Sequence, residues 1–407
     1  MSGTVSPRDP DRSGNVENPS THVPDRSGNA EGPSPHGPDR PGSPGGPSPR
    51  GRGPSARHAA AESERTVRRR RRARRAGAIA VASVIAMLAG SVAGAYVITN
   101  QLVGNVRRIP HVFQGLSKDS RPVMPVATRQ SMTILVAGSD IRSATQTTGA
   151  GRAPSFQPGE QRSDVLMLVH ITADRKQASF ISIPRDSWVD VPGHGTMKIN
   201  AALSLGGPAL MIETVEHLSH VLINHYAVID FIGFQNLVQA LGGVDVQVAQ
   251  PTSSAGVNFR RGLNDLGPAS ALAYVRQRDG LPLGDLSRIQ RQQNLIRAIL
   301  TRVASAGVLT NPVEMYRLID TFTQVLSVDS TFSNAAMRTL ALQLSRLRGG
   351  NVAFLTAPWS GLGWRNQQSV VLLNSGECAT LWQAIRNDRV AAWAARHPGA
   401  VTPSVPY

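Results

Sequence analysis

The 407-residue sequence contains a single cysteine, Cys378. This excludes an intramolecular disulfide and a zinc site built on paired cysteines, so a hydrophobic core must hold any folded domain together. The sequence also lacks a Gly-x-x-x-x-Gly-Lys-Ser/Thr loop, a Gly-x-Ser-x-Gly elbow and a His-Glu-x-x-His motif. Nucleotide triphosphate use, serine-hydrolase chemistry and zinc-protease chemistry therefore have no support in the sequence.

Charge is missing from residues 76–98, a run of Ala, Val, Ile, Leu, Met, Gly, Ser and Tyr. This run is long enough to cross a bilayer, which takes about 20 mostly apolar residues. Seven arginines lie within Arg68–Arg75, directly before it, and such a cluster marks the cytoplasmic end of a span. We predict a single-pass signal-anchor helix in the cell membrane, with the N-terminus cytoplasmic and the later residues extracellular. The arginine run disfavours a core helix, and the long preceding segment disfavours a cleaved signal peptide.

The formal net charge of +16 first suggests an anionic partner such as nucleic acid. Residues 1–75 carry a net charge of +7 and residues 99–407 carry +9, so the predicted span separates two basic regions. The larger region lies on the side of the membrane that holds no genome. We therefore expect no nucleic-acid partner.

Composition and pattern divide the chain into segments. Residues 1–67 have almost no large apolar residue and are too polar to form a core, which predicts disorder. After residue 131, apolar runs and amphipathic segments alternate, as is typical of a layered α/β domain. The predicted segments are a disordered cytoplasmic tail at 1–75, the span at 76–98, an extracellular tether at 99–130, a folded α/β domain at 131–395 and a C-terminal tail at 396–407.

Within the domain at 131–395 the pattern predicts seven strands and seven helices, with helices on both faces of the sheet. Gly242-Gly243 ends one of the helices, and Pro208 lies in the first turn of another. The predicted strands are 133–137, 165–171, 179–183, 225–230, 244–248, 352–357 and 369–373. The predicted helices are 208–220, 234–241, 268–277, 286–304, 312–325, 333–347 and 376–395.

Two aspartates lie at strand ends with an arginine beside each. Asp140 follows strand 133–137, while Arg162 and Asp164 precede strand 165–171. Ligands of open α/β sheets bind beyond strand ends, and Mg²⁺ binds one or two carboxylates with waters and substrate oxygens. The pattern therefore suggests a cation and a phosphate. Two aspartates that cap loops would show the same spacing.

Arg185 directly follows the predicted strand 179–183 and Pro184. At a strand's carboxyl end, an arginine can bind a phosphate through two parallel hydrogen bonds. An ordinary surface arginine is the alternative.

The helix predicted at 286–304 begins with a basic pattern. Arg288, Arg291 and Gln292 are spaced by three and four residues, so we expect them to share a face. Asp285 is placed to cap the helix N-terminus, where an anion is favoured.

Arg276 and Arg278 come from the end of the preceding helix. We expect these guanidiniums to converge with those of the next helix without matching acids, an arrangement that suits a diphosphate. A solvated basic face is the alternative.

These motifs, in their order, resemble the LytR-CpsA-Psr family of cell-wall glycopolymer ligases. Each motif alone is weak, whereas seven in sequence behind a signal anchor are specific. The high Arg, Ala, Gly and Pro content resembles the actinobacterial type. The matching segments are GSDIR (138–142), RSD with LMLVHI (162–171), ISIPRDSWVDVPGHG (181–195), KINAA (198–202), HYAVIDFIGF (225–234), LGGVDV (241–246) and ALAYVRQRDGLPLGDLSRIQRQQ (271–293).

The resemblance implies a three-layer α/β/α domain with a central mixed sheet and a deep groove for a polyprenyl chain. It implies a magnesium-dependent phosphotransferase, with Mn²⁺ as the alternative cation. The enzyme would move a glycopolymer phosphate from a polyprenyl-diphosphate carrier to a peptidoglycan hydroxyl and release polyprenyl phosphate. Arabinogalactan, a teichoic acid and a capsular polymer are the candidate donors. A membrane-bound envelope regulator and a polyprenyl-diphosphate pyrophosphatase are the alternative functions.

The resemblance also assigns roles to individual residues. Asp140 and Asp164 match the family's metal-binding acids, and with Arg162 and Arg276 they are the expected catalytic residues. The sequence departs from the family pattern at Leu203, Asn224 and Asp279, which bears on substrate detail only. The residues that match the diphosphate-binding positions are Arg162, Arg185, Arg276, Arg278, Arg288 and Gln292.

Overall fold

The computed structural model describes residues 106–117, 119–139, 148, 163–305, 320–344 and 351–406. A mixed seven-stranded sheet lies at the centre of this part of the chain, which confirms the predicted α/β class. Strands and helices are numbered here in chain order. The sheet order is β1 (Arg107–Ile109), β12 (Leu326–Asp329), β7 (His225–Asp230), β2 (Met132–Ser139), β3 (Ser163–Ile171), β4 (Ala178–Ser182) and β13 (Val352–Thr356).

The central strands are the continuous apolar runs of the sequence. β2 pairs antiparallel with β3 and parallel with β7, and Leu135 of β2 and its partner Leu168 of β3 are fully buried. A run without polar alternation is typical of a strand covered on both faces. β2, β4, β7 and β13 all end at one edge of the sheet, called the carboxyl edge here, and β3 begins there.

Apolar side chains pack on both faces of the sheet. Successive residues of a strand point to opposite faces, so Leu135 and Ile134 of β2 belong to two separate clusters. Ile134 packs in the cluster that includes Phe332 and Leu340. The helices of the two clusters are α1 (Ala201–Ser219), α6 (Ser375–Arg386) and α7 (Val390–Arg396) on the face of Leu135, and α5 (Asn334–Leu344) on the other.

A third cluster lies outside the main sheet. Val244, Val246 and Val248 alternate inward from a two-stranded ribbon, so the predicted strand 244–248 is confirmed but belongs to a separate sheet. The elements of this cluster are α2 (Phe231–Ala240), α3 (Pro268–Arg276), α4 (Asp285–Ser305), β8 (Val244–Val248) paired with β11 (Gly262–Leu266), and β9 (Thr252–Ser254) paired with β10 (Val257–Phe259).

Two further hairpins lie close to the carboxyl edge. β5 (Trp188–Val191) pairs with β6 (Gly195–Lys198), and neither strand was predicted because the segment is short and partly polar. β14 (Trp359–Arg365) pairs with β15 (Gln368–Leu373), of which only β15 was predicted. The turn of the second hairpin places Asn366 and Gln367 at positive φ.

Two predicted helices differ from the observed ones. The helix predicted at 208–220 begins earlier, at Ala201, and kinks at Gly206 and Gly207 before Pro208 starts its second segment. The helix predicted at 376–395 is broken into α6 and α7, because Asp388 adopts a left-handed backbone with φ 54°. Of the helix predicted at 312–325, only residues 320–325 are described, and these are helical.

Both segments that flank the predicted domain pack against it. From residue 106 onward the predicted tether contributes β1 and buries Ile109 and Val112. In the predicted tail, Thr402 is buried and its N–H donates to the Phe354 carbonyl at 2.9 Å. No helix of the described residues is long and apolar enough to cross a bilayer. The predicted span at 76–98 and the predicted tail at 1–75 lie outside the described residues.

Candidate functional site

A cavity opens at the carboxyl edge, where β3 begins, β4 ends and α4 begins. Pro184 follows the end of β4, and Arg185 after it contacts Asp285 at the start of α4. Polar and apolar residues both line the cavity. They are Asp164, Val165, Leu166, Ser182, Ile183, Pro184, Arg185, Asp186, Asp285, Leu286, Arg288, Ile289, Gln292 and Val371.

Arg185 lies among three carboxylates. Its Nη1 contacts Asp164 Oδ1, its Nη2 lies 3.3 Å from Asp285 Oδ2, and its Nε lies 3.5 Å from Asp186 Oδ2. Burial lowers the pKa of Arg185, but the three acids outweigh burial and the net shift is upward. Arg185, for which the sequence predicted phosphate binding, is therefore matched by acids in the free protein.

Arg288 is the most buried charge of the cavity, with 6% of its surface exposed. Its Nη2 donates to Asp285 Oδ2 at 3.1 Å, so one carboxylate contacts both arginines. Burial lowers the pKa of Arg288, and the nearby Arg185 acts in the same direction. The buried Nε of Arg288 has no hydrogen-bond partner among the described residues, and an unmet buried donor at a cavity suits an anionic ligand.

Asp285 is the first residue of α4 rather than its N-cap. Gly284 precedes it with φ 52°, and the Asp285 carboxylate accepts hydrogen bonds from arginines. The expected capping role is therefore wrong. The sequence still indicated that Asp285 lies beside Arg288, because the two residues are three positions apart on one helix.

The predicted common face of α4 divides in two. Arg288 and Gln292 line the cavity, whereas Arg291 is fully buried and donates to Gln277 Oε1 at 2.7 Å and Thr252 Oγ1 at 2.9 Å. Each residue turns the helix by about 100°, so adjacent positions diverge strongly. Arg291 therefore belongs to the third cluster and not to the cavity.

Arg276 and Arg278 are not among the described residues that line the cavity. The Arg276 guanidinium lies 3.7 Å from the ring centroid of Phe231, and Arg278 is exposed beside Asp279 at 3.7 Å. Gln277 between them is extended, so the chain leaves α3 there. The sequence-based expectation that all the arginines converge is not met for these two, and their diphosphate roles stay predictions.

Asp140 and Arg162 lie outside the described residues. Their sequence neighbours Ser139 and Ser163 are paired across β2 and β3 at the carboxyl edge. Asp164, the other predicted metal ligand, is the next residue along β3 and lies on the cavity wall. Among the described residues, no group of three or more His, Cys, Asp or Glu side chains could hold a metal ion.

Sequence reasoning gave no role to Asp186, which directly follows Arg185. Its Oδ1 lies 3.1 Å from Lys198 Nζ, and its carbonyl accepts a hydrogen bond from the Val371 N–H at 2.9 Å. The signal for Asp186 was its place inside the matching segment 181–195. No local pattern pointed to Val371, which arrives from a distant hairpin.

A profile of the LytR_cpsA_psr family matches residues 111–387. The chain belongs to the LytR_cpsA_psr family. Cell wall biosynthesis protein LcpA of Corynebacterium glutamicum is 32% identical over an alignment of 287 positions, and the match covers 61% of this chain and 54% of the relative. A TagU of Oceanobacillus iheyensis, named a polyisoprenyl-teichoic acid–peptidoglycan teichoic acid transferase, is 36% identical over 164 residues, 39% of this chain and 51% of that protein. The chain thus spans about half the length of these curated LytR_cpsA_psr relatives.

A solved structure of a LytR_cpsA_psr relative shares the fold. The structure of B. subtilis TagT bound to LI-WTA is 25% identical and superposes with a TM-score of 0.52. The match covers 67% of this chain and 98% of TagT. The described domain is therefore an α/β domain of the same architecture.

Proposed function

We propose that this chain is a phosphotransferase that moves a glycopolymer phosphate from a polyprenyl-diphosphate carrier to a hydroxyl of peptidoglycan. One observation carries the proposal: a family member presents Arg185 and the buried Arg288, with its unmet Nε, in one cavity. The names of the relatives support it, since LcpA is named for cell wall biosynthesis and TagU for teichoic acid transfer.

Charge neutralisation is the main task in such a transfer, because phosphoryl transfer needs little covalent help from the protein. Arg185 and Arg288 would donate to the diphosphate oxygens and stabilise the charge that builds up in the transition state. Both arginines now share the Asp285 carboxylate, so a bound diphosphate competes with Asp285 for their donors. Gln292 adds a neutral polar group on the same wall.

The transfer forms one bond to phosphorus and breaks another. The acceptor hydroxyl oxygen forms a bond to the phosphorus that bears the glycopolymer, and the bond from that phosphorus to the bridging oxygen of the diphosphate breaks. The bridging oxygen leaves with its electron pair as part of polyprenyl phosphate. The hydroxyl proton passes to a carboxylate base, for which Asp140 and Asp164 are the candidates.

We further propose that Asp140 and Asp164 hold Mg²⁺, or Mn²⁺ in its place. The chemistry of the donor set fits, because hard carboxylate oxygens are what these cations bind and the substrate supplies further oxygens. The bound cation would neutralise phosphate charge and polarise the phosphoryl group. Asp164 Oδ1 contacts Arg185, so this proposed metal ligand lies next to the arginine that would bind the diphosphate.

We place the enzyme on the extracellular face of the cell membrane, anchored by residues 76–98. The support is the uncharged run and the arginines before it. A reporter fused after Tyr407 should be active only outside the membrane, and cytoplasmic activity would contradict this placement.

Replacing Arg185 tests the site. Arg185→Lys keeps one charge but loses the planar fork, so transfer of a radiolabelled lipid-linked glycopolymer to peptidoglycan should fall about 100-fold. Arg261→Ala, which removes an exposed arginine away from the cavity, is the matched control and should transfer normally. Equal rates in the lysine variant and the wild type would remove Arg185 from the mechanism.

Omitting peptidoglycan separates transfer from hydrolysis. The transferase should release little polyprenyl phosphate without an acceptor. Release at the full rate under these conditions would identify a pyrophosphatase instead.

A further inference from the structure

The β14–β15 hairpin exposes large apolar side chains on one face. Trp364 is 71% exposed and Leu362 is 64% exposed. Two residues apart on β14, they point to the same side, and Leu362 is paired with Val371 of β15. Val371 is buried and lines the cavity, so the exposed apolar stripe continues outward from the cavity wall.

The hairpin is fixed to the loop that carries Arg185. β13 ends at Thr356 on the carboxyl edge, and the hairpin begins three residues later at Trp359. The Val371 N–H donates to the Asp186 carbonyl at 2.9 Å. The position of the exposed stripe is therefore tied to that of the cavity.

The chain enters the sheet at the same edge. Arg107 of β1 pairs with Ser327, Ser327 with Val228, and Val228 with Ala137 near the end of β2. Only eight residues separate Arg107 from the predicted membrane span at 76–98. Eight extended residues reach at most about 27 Å, so a membrane anchor there would hold the carboxyl edge close to the bilayer.

The side chains at the hairpin tip suit a lipid surface. Tryptophan combines an apolar body with a polar N–H and is enriched at membrane interfaces. Arg365, next along the strand, is exposed and would be attracted to anionic headgroups. The same apolar stripe left in water would not have its apolar surface buried.

We propose that Leu362 and Trp364 insert into the headgroup region of the bilayer, with Arg365 at the end of the strand beside the headgroups, and hold the cavity against the lipid surface. This inference rests on the membrane placement that belongs to the proposed function. A carrier lipid could then reach the cavity without leaving the bilayer.

Quenching of tryptophan fluorescence tests the proposal. The full chain is reconstituted into vesicles of phosphatidylcholine and phosphatidylglycerol, with or without bromine on the acyl chains. Brominated lipid should quench the wild-type emission, and Trp364→Phe should lose most of that quenching. Trp364 is one of five tryptophans and is exposed, so this variant should fold. Leu263→Ser, which removes a 58% exposed leucine from the β8–β11 ribbon, should keep wild-type quenching.

Two outcomes would overturn the proposal: no quenching of the wild type by brominated lipid, or equal quenching in the wild type and Trp364→Phe. Equal quenching together with weaker binding of Trp364→Phe to peptidoglycan sacculi would assign the hairpin to the acceptor glycan. The assay needs no glycopolymer and no turnover. A failed transferase assay with normal quenching would therefore count against the proposed function alone.

Discussion

At the residue scale, the cavity depends on how two arginines share one carboxylate. Asp285 contacts both Arg185 and Arg288, and among the described residues it is the one acid within salt-bridge distance of Arg288. A buried charge that loses its partner is strongly destabilising. The free protein therefore uses Asp285 to hold in place the groups that the substrate would engage.

Asp285→Asn tests this sharing. The neutral amide leaves Arg288 with less compensation, so the variant should lose about 1–3 kcal/mol of unfolding free energy. Inorganic pyrophosphate should restore part of the loss, since the arginines become free to bind it. The measurement is the melting temperature with and without pyrophosphate. A smaller shift in the variant than in the wild type would contradict competition between Asp285 and the anion.

At the element scale, a buried acid joins two strands of the sheet. Asp329 at the end of β12 accepts from His225 Nδ1 and from the Tyr226 N–H of β7, both at 3.1 Å. Burial alone would raise the pKa of Asp329, but the donors of His225, Thr331 and Tyr226 together lower it. Arg108 of β1 adds a nearby positive charge. The ionised form of Asp329 is therefore favoured by the fold.

This arrangement predicts a pH-dependent stability. An aspartate whose folded pKa is depressed stabilises the fold above its unfolded pKa of about 3.9, and loses that contribution as pH falls through the lower folded value. Asp329→Asn should cost about 2 kcal/mol in urea unfolding at pH 7. The gap between the variant and the wild type should shrink at pH 3. The same gap at both pH values would show that the Asp329 charge is not involved.

A strand could be predicted from the sequence when its apolar run was long and unbroken. β2 and β3 could be predicted because unbroken apolar runs admit few other structures. β5, β6 and β14 could not, because such short ribbons are set by contacts such as that between Val371 and Asp186. In the site, Arg291 and Gln292 are adjacent on α4 and lie about 100° apart around the helix, so only Gln292 joins Arg288 at the cavity.

At the scale of the whole molecule, the C-terminal segment ties distant elements together. The Arg297 guanidinium on α4 donates to the carbonyls of Thr402 and Pro403 at 3.2 and 3.0 Å. Thr402 also contacts Gln293 of the same helix and bonds Phe354 of β13. The segment thus connects α4, which carries Arg288, to the main sheet.

Truncation tests this role. A chain that ends at Ala400 loses these bonds, worth about 3 kcal/mol together. Its melting temperature should fall by about 6–12 °C. A chain that ends at Ser404 keeps Thr402 and Pro403 and serves as the control. If the chain ending at Ala400 had the same melting temperature as the control, the C-terminal segment would add no stability.

The same segment has a consequence for encounters between molecules. β13 is the last strand of the sheet, and Val401 forms an antiparallel bridge with Leu355 on its outer side. An uncovered edge strand offers unpaired amides to any extended chain, which is a route to aggregation. At the opposite border β1 is only three residues long. One border of the sheet is covered by the C-terminal segment, and the strand at the other border is short. The sheet therefore has few unpaired backbone groups through which neighbouring copies could exchange strands.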